Sequence, residues 1–166
     1  YGIANQKNFS DFVLLTIIHV RVGDIAFGTS PGFGEIMVTL RSVANDDMDT
    51  LYQKSVELAR KIGTSHKLAV EISVADDFPA TVCNPDVIET VRKIAIEQNR
   101  TIAELDKPNR WSEDFAHFTL TKPSVIFGLG IGEDKPELHS PEYDFPDEAI
   151  EHGVQILDAI INKYNR

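Results

Sequence analysis

The chain has 166 residues, enough for one ordinary domain or two small ones with an interior, and its 42% hydrophobic and 25% charged content is that of a folded globular protein. A formal charge of −10, from 26 acidic against 16 basic residues, argues against a nucleic-acid surface, which needs clustered Lys and Arg to replace phosphate counterions. The longest apolar run, residues 12–18, is interrupted by Thr16 and is too short to cross a bilayer.

Residues 1–11 are polar and show no clear period. Residues 12–22 are rich in Val, Ile, Leu and Thr and predict a long strand, wet on one face in its second half, where His19 and Arg21 alternate with Val20 and Val22. Gly23-Asp24 and Gly28-Thr29-Ser30-Pro31-Gly32 mark a turn-rich loop. Residues 35–43 alternate cleanly, with Ile36, Val38 and Leu40 on one side and Met37, Thr39 and Arg41 on the other, and predict an antiparallel neighbour to the first strand. Asn45-Asp46-Asp47 reads as an N-cap and acidic first turn, helical spacing follows to Ile62, and Gly63 reads as the stop. Residues 67–74 alternate again and predict a third strand. The order β, β, α, β is a partial ferredoxin-like, split βαβ unit with an antiparallel sheet.

Asp76-Asp77-Phe78-Pro79-Ala80 breaks the pattern and sets a boundary between residues 1–81 and 82–166. Asn84-Pro85 is an N-cap followed by proline at the first helical position, with Val87, Ile88, Val91, Ile94 and Ala95 predicted inward. Residues 101–105 predict a short strand, residues 112–118 a brief helix capped by Ser112, and residues 124–129 a buried strand. Pro146 opens the last helix, whose predicted inner face is Ala149, Ile150, Val154, Leu157, Ile160, Ile161 and Tyr164. Helices alternating with short apolar strands predict a layered α/β domain.

Cys83 is the only cysteine, which fits a reducing compartment; a small buried hydrophobe is the simpler reading of it than a nucleophile. His139 stands in the acidic, proline-bracketed stretch Leu138-His139-Ser140-Pro141-Glu142-Tyr143-Asp144-Phe145. It reads either as a metal ligand or acid/base group or as a loop imidazole bonded to backbone, and a metal centre needs three or four donors where no second histidine lies at close spacing. His66 follows a helix end, and His117 and His152 stand alone on predicted helices. Gly128-Leu129-Gly130-Ile131-Gly132 lacks the helix N-terminus that a phosphate loop requires, and its glycines read as points of close backbone approach. Arg41 reads as a solvated strand arginine or a carboxylate clamp.

The succession Trp111-Ser112-Glu113-Asp114-Phe115, then Phe127-Gly128-Leu129-Gly130, then Leu138 to Phe145 and a terminal helix resembles the C-terminal part of the M20 metallopeptidase family. The branch it resembles contains the N-acyl-amino-acid amidohydrolases, including hippurate and indole-acetyl-amino-acid hydrolases. Gly23, Ala26-Phe27, Pro31, Glu35 and Thr39-Leu40-Arg41 are similar to the lid, or dimerisation, domain of that family. The resemblance implies a partial ferredoxin-like lid followed by the C-terminal half of a layered α/β, zinc-peptidase-like catalytic domain. It implies a metal-dependent enzyme that cleaves the amide of small N-acyl amino acids or peptides, with two divalent ions (Zn, Mn, Co or Ni), a cytoplasmic location and homodimerisation through the lid. By the same resemblance His139 matches the last metal ligand, Arg41 the lid arginine that holds the substrate carboxylate, and Glu113 the acidic residue near the metals, its role left open.

Two departures accompany the resemblance. Gly28 stands where the family has a lid asparagine, and the family's N-terminal ligand segments have no counterpart. The expectation is therefore a C-terminal fragment that binds no metal tightly by itself. The alternative is a non-catalytic dimerisation or binding module of α/β type, pairing through an exposed strand edge.

Overall fold

The computed structural model describes residues 2–165, which form two compact units: residues 2–80 with Pro108–Ser112, and Thr81–Lys107 with residues 113–165. In the first unit, β1 (Val13–Val22) and β2 (Gly34–Ser42) pair antiparallel, from Val13 opposite Ser42 to Val22 opposite Gly34. Ile17 faces Val38 and His19 faces Met37, so Ile18 is the extra residue of a β-bulge. The bulge shifts the side-chain alternation by one. One face of the hairpin then carries Val13, Leu15, Ile17, Val20 and Val22 with Ile36, Val38 and Leu40, and the other carries Leu14, Thr16, His19 and Arg21 with Glu35, Met37, Thr39 and Arg41.

Helix α1 (Asn45–Ser65) packs against the hairpin, on the face where Val13 and Leu15 are covered while Leu14 stays open. Val13 and Leu51 are the largest fully buried side chains among the described residues, each contributing about 1.5–3 kcal/mol by leaving water. The start of α1 departs from the predicted cap. Ala44 is the N-cap and makes no side-chain hydrogen bond, whereas Asn45 lies inside the helix and its Oδ1 accepts the Ala80 N–H at 2.7 Å. Asp47 is buried rather than a solvated first-turn acid. Its carboxylate accepts the Ser10 N–H (2.9 Å), the Ser10 hydroxyl (2.7 Å) and the Asp11 N–H (2.9 Å), which ties the chain entering β1 to the first turn of α1. These donors, the Ser10 hydroxyl foremost, hold Asp47 below the usual carboxylate range despite the opposing effect of burial.

Gly63 is not the stop that the sequence predicted. The helix continues to Ser65, and the reversal is made by Lys67 at φ 59°, with Lys67 N–H on Thr64 O (3.2 Å) and Leu68 N–H on Gly63 O (2.8 Å), the Schellman pattern. Gly63 serves close approach instead: a Cβ there would lie 2.2 Å from Val70 Cγ2. The predicted third strand over residues 67–74 joins no ladder among the described residues, because the sheet consists of β1 and β2 alone.

In the second unit, α2 (Pro85–Glu97) begins as predicted, with Asn84 Oδ1 accepting from Asp86 N–H (3.0 Å) and Val87 N–H (3.1 Å). It ends in a second Schellman turn with Asn99 at φ 54°, Asn99 N–H on Ile96 O and Arg100 N–H on Ala95 O. Val91, Ile94 and Ala95 of α2 form the core with Ile156 of α4 (Glu148–Tyr164), and Val125, Ala159 and Ile160 pack around them. Arg100 fastens the end of α2 to α4, donating to His152 O (3.2 Å) and Gln155 Oε1 (3.0 Å), while Gln98 donates to Gln155 O (3.1 Å).

The predicted inner face of α4 is only partly right. Ala149 is buried and Ile160 half-buried, but Ile150, Val154, Leu157, Ile161 and Tyr164 are each at least 53% exposed. The helix is apolar over a wider arc than the packing in this chain covers, and its regular-element neighbour is α2. α3 (Ala116–Thr119) is a single turn capped by Phe115, so Ser112 is not its cap. Residues 101–105 and 124–129 form no ladder; Val125 joins the core while Ile126, Phe127 and Leu129 remain partly open. Gly128 and Gly130 have nothing within 4 Å of an added Cβ, so the close approach expected there is absent. No helix among the described residues is long and apolar enough to cross a membrane.

Two outcomes follow from the first unit. Gly63→Ala should lower stability by about 1–2 kcal/mol, because overpacking against Val70 outweighs the gain in helix propensity of about 1 kcal/mol. In a Val70→Ala background the same change should become neutral or stabilising, which denaturant unfolding of the four proteins would read. The Asp47 contribution to stability is present above the ordinary aspartate range and is lost as pH falls through its depressed folded value. Acid unfolding of Asp47→Asn should accordingly be shallower than that of the parent sequence at the acid limb.

Candidate functional site

The sequence candidates fall in both units, Arg41 in the first and Glu113 and His139 in the second. His139 is exposed and has φ 72°, a left-handed conformation that costs a non-glycine residue about 1–2 kcal/mol. The loop around it compensates with local bonds. Ser140 N–H reaches Glu137 O (3.0 Å) and Tyr143 N–H reaches Ser140 O (3.0 Å), two consecutive turns of which the first contains the histidine. Between them the Ser140 hydroxyl donates to the Glu142 carboxylate and accepts the Glu142 N–H at 3.3 Å. The Ser140 hydroxyl, with the Glu142 backbone N–H, holds the Glu142 carboxyl below its usual range. The imidazole therefore sits on a braced turn with a carboxylate that stays ionised close by in sequence.

A cleft of about 490 Å³ follows this loop, lined by Asp134, Lys135, Pro136, Asp144, Phe145 and Glu148 among others, but not by His139. Glu113 is exposed; its backbone carbonyl accepts the Ala116 N–H (3.0 Å), and the Asp114 carbonyl accepts the His117 N–H (3.1 Å). Phe115 and Phe118 then pack with their ring centroids 5.8 Å apart and their planes tilted by 39°. Cys83 is half-buried, with its sulfur 3.5 Å from Ile126 N and 3.8 Å from Ile126 O, as a small packing residue would be. Arg41 is exposed on the open face of the hairpin and donates through Nη1 to the carbonyl of Arg110.

Among the described residues no three His, Cys, Asp or Glu side chains converge closely enough to hold a metal ion. The donors among the described residues thus do not amount to a complete metal centre, since such centres take three or more protein ligands. Sequence reasoning missed Asp47, Arg100 and Arg110 as organising residues. Each acts on a partner more than 30 positions away, for which no local pattern gives a signal.

Residues 8–163 match the peptidase family M20/M25/M40. This chain belongs to that family. Members are generally metal-dependent. A protein of Rhodococcus jostii named a glutamate–cysteine ligase is 28% identical over 89% of this chain but only 19% of its own length. A hydrolase of Staphylococcus aureus strain N315 is 22% identical over 91% of this chain and 40% of its own. An N-acetyldiaminopimelate deacetylase of Exiguobacterium sibiricum is 24% identical over 76% and 34%. The fold is similar to the crystal structure of a protein from methicillin-resistant S. aureus described as an aminohydrolase, with TM-score 0.70 and 20% identity over 97% of this chain and 43% of that one. The M20 chain spans less than half the length of these relatives.

The braced turn is open to a direct test. Ser140→Ala should raise the Glu142 titration midpoint toward the ordinary glutamate value, because the first cause of its depression is removed. Carboxyl NMR titration would show this, and an unmoved midpoint would rule out the Ser140 hydroxyl as that cause.

Proposed function

We propose that this chain is part of a metal-dependent hydrolase that cleaves the amide bond of N-acyl amino acids or small peptides. The observation that carries the proposal is the family match over residues 8–163. The names of two relatives, a hydrolase and an N-acetyldiaminopimelate deacetylase, point to the same chemistry. In this reading His139 is one metal ligand, Arg41 holds the substrate carboxylate, and Glu113 is an acidic residue close to the reaction, its role open. Residues 1–81 would be the lid and residues 82–166 the C-terminal portion of the catalytic domain. The other ligands to two divalent ions would come from the remainder of the parent protein.

Support for a larger parent lies in what this chain leaves uncovered. Residues 67–74, 101–105 and 124–129 are rich in β-branched residues yet have no ladder partner among the described residues, and α4 exposes an apolar stripe. A sheet with more strands would use both features.

A second reading is favoured by one observation. The β1–β2 ladder has two strands, so each keeps an unpaired edge among the described residues, which suits a non-catalytic dimerisation module that pairs with another copy. The readings separate cleanly. The parent should hydrolyse N-acyl amino acids, and His139→Ala should lower kcat/KM by more than the roughly 10–100-fold expected for an outer-shell partner of a metal. Unchanged turnover in a folded His139→Ala protein sinks the metal-ligand role, and a parent that dimerises without any amidase activity favours the module.

A further inference from the structure

The open face of the β1–β2 hairpin gathers basic side chains that are treated in two different ways. His19 Nε2 lies 3.6 Å from Glu35 Oε1, and Arg21 Nη2 lies 2.6 Å from Asp24 Oδ1, so each has an acidic neighbour. Arg41 is on the same face, opposite Leu14. Phe12 continues that face beyond Leu14, held by the Val43 N–H on Phe12 O at 3.2 Å. Over the Phe12 ring lies the guanidinium of Arg110, 5.0 Å from the centroid. Arg110 belongs to Pro108–Ser112, the segment that packs with the first unit, and its carbonyl accepts a hydrogen bond from Arg41.

Phe12 and Arg41 are diagonal neighbours across the ladder, about 7–8 Å apart at the backbone, a span that long side chains bridge. Two guanidiniums are therefore held on one face, one by a carbonyl and one by an aromatic ring. Neither is in an ion pair with a described Asp or Glu, in a chain where acidic residues outnumber basic ones 26 to 16. Arg41 spends one of its five N–H donors on the carbonyl, and the Arg110 stack uses the face of its guanidinium and leaves its edge donors for a planar acceptor.

We propose that Arg110 and Arg41 together form a two-guanidinium clamp for a carboxylate, and that Arg110 is a second specificity-determining residue for the free carboxylate of an N-acyl amino acid. The identity of the ligand rests on the hydrolase reading; the pairing of the two arginines does not. Arg110 acts here by contact with the ligand, and its stack on Phe12 sets its direction.

The test is an NMR titration of this chain that follows the arginine Nε–H resonances, with N-acetyl-L-alanine, its C-terminal amide and inorganic phosphate as probes. N-acetyl-L-alanine should move both the Arg41 and the Arg110 resonances, while the amide should move neither. Arg110→Gln and Arg41→Gln should each raise the Kd about tenfold, the loss expected for one charged hydrogen-bonding group, with Arg110→Lys in between. An Arg110→Gln protein that binds within about twofold of the unaltered chain, while Arg41→Gln is impaired, overturns the role of Arg110 and leaves Arg41 as a lone clamp. Absence of carboxylate binding by the unaltered chain, or equal binding of phosphate, also overturns the proposal. In either case amide hydrolysis by the parent still decides the hydrolase reading independently.

Discussion

A two-stranded ladder cannot hide both of its faces, and in the first unit everything else depends on which face α1 takes. Two features settle that choice. The bulge at Ile18 moves His19 and Arg21 to the side that carries Thr39 and Arg41, so the opposite side is apolar from Val13 through Val22. The Asp47 carboxylate then fixes the helix by its first turn, accepting two backbone N–H groups and a hydroxyl from Ser10 and Asp11, immediately before β1. A buried carboxylate is tolerated only when its lone pairs are filled, and a helix N-terminus is a favourable place for its charge. Without the bulge, Val13, Leu15 and Ile17 would share their face with His19 and Arg21, and Val20 and Val22 would point to the other side, so neither face would be apolar along its length.

The second unit is held by a different logic. α2 and α4 bury Val91, Ile94, Ala95 and Ile156 between them, and the polar fastening by Gln98 and Arg100 sits at the C-terminal end of α2. Its turn at Asn99 places Arg100 where it can reach the α4 backbone at His152. This gives a small core and leaves much of α4 wet. Ile150, Val154, Leu157, Ile161 and Tyr164 make an exposed apolar stripe along it.

The parts of this architecture that were legible in the sequence are those decided within a few residues. The β1 and β2 alternation and the Asn84-Pro85 start of α2 rest on local geometry, and α4 begins at Glu148, two residues past the predicted Pro146. Over residues 67–74 and 124–129, β-branched composition was read as strand, but a strand exists only with a neighbour to share its backbone hydrogen bonds, and composition says nothing of that neighbour. Gly63 reads as a helix stop on its propensity, whereas the stop falls at Lys67 and the glycine makes room for Val70. The outer and inner faces of α4 were not separable, because apolar residues lie around most of it. For the site, loop composition singled out His139, but the left-handed turn that presents it was not legible, since glycine is the residue that usually marks such a position. Arg110 was invisible because its partners, Phe12 and Arg41, are brought to it by tertiary packing alone.

The contrast between His139 and Arg41 bears on how function is divided along this chain. His139 is positioned by bonds that begin and end within residues 137–143, so its presentation is a local property of seven residues. Arg41 is positioned by strand register, by the bulge that sorts the faces and by the Arg110 carbonyl 69 positions away, so its presentation is a property of the whole first unit. A group placed locally keeps its geometry wherever its unit is docked. A group placed by register responds to anything that shifts β1 against β2 or displaces Pro108–Ser112. The placement of Arg41 is therefore coupled to the fold of the first unit, while the histidine turn depends on the Ser140 and Glu142 side chains beside it.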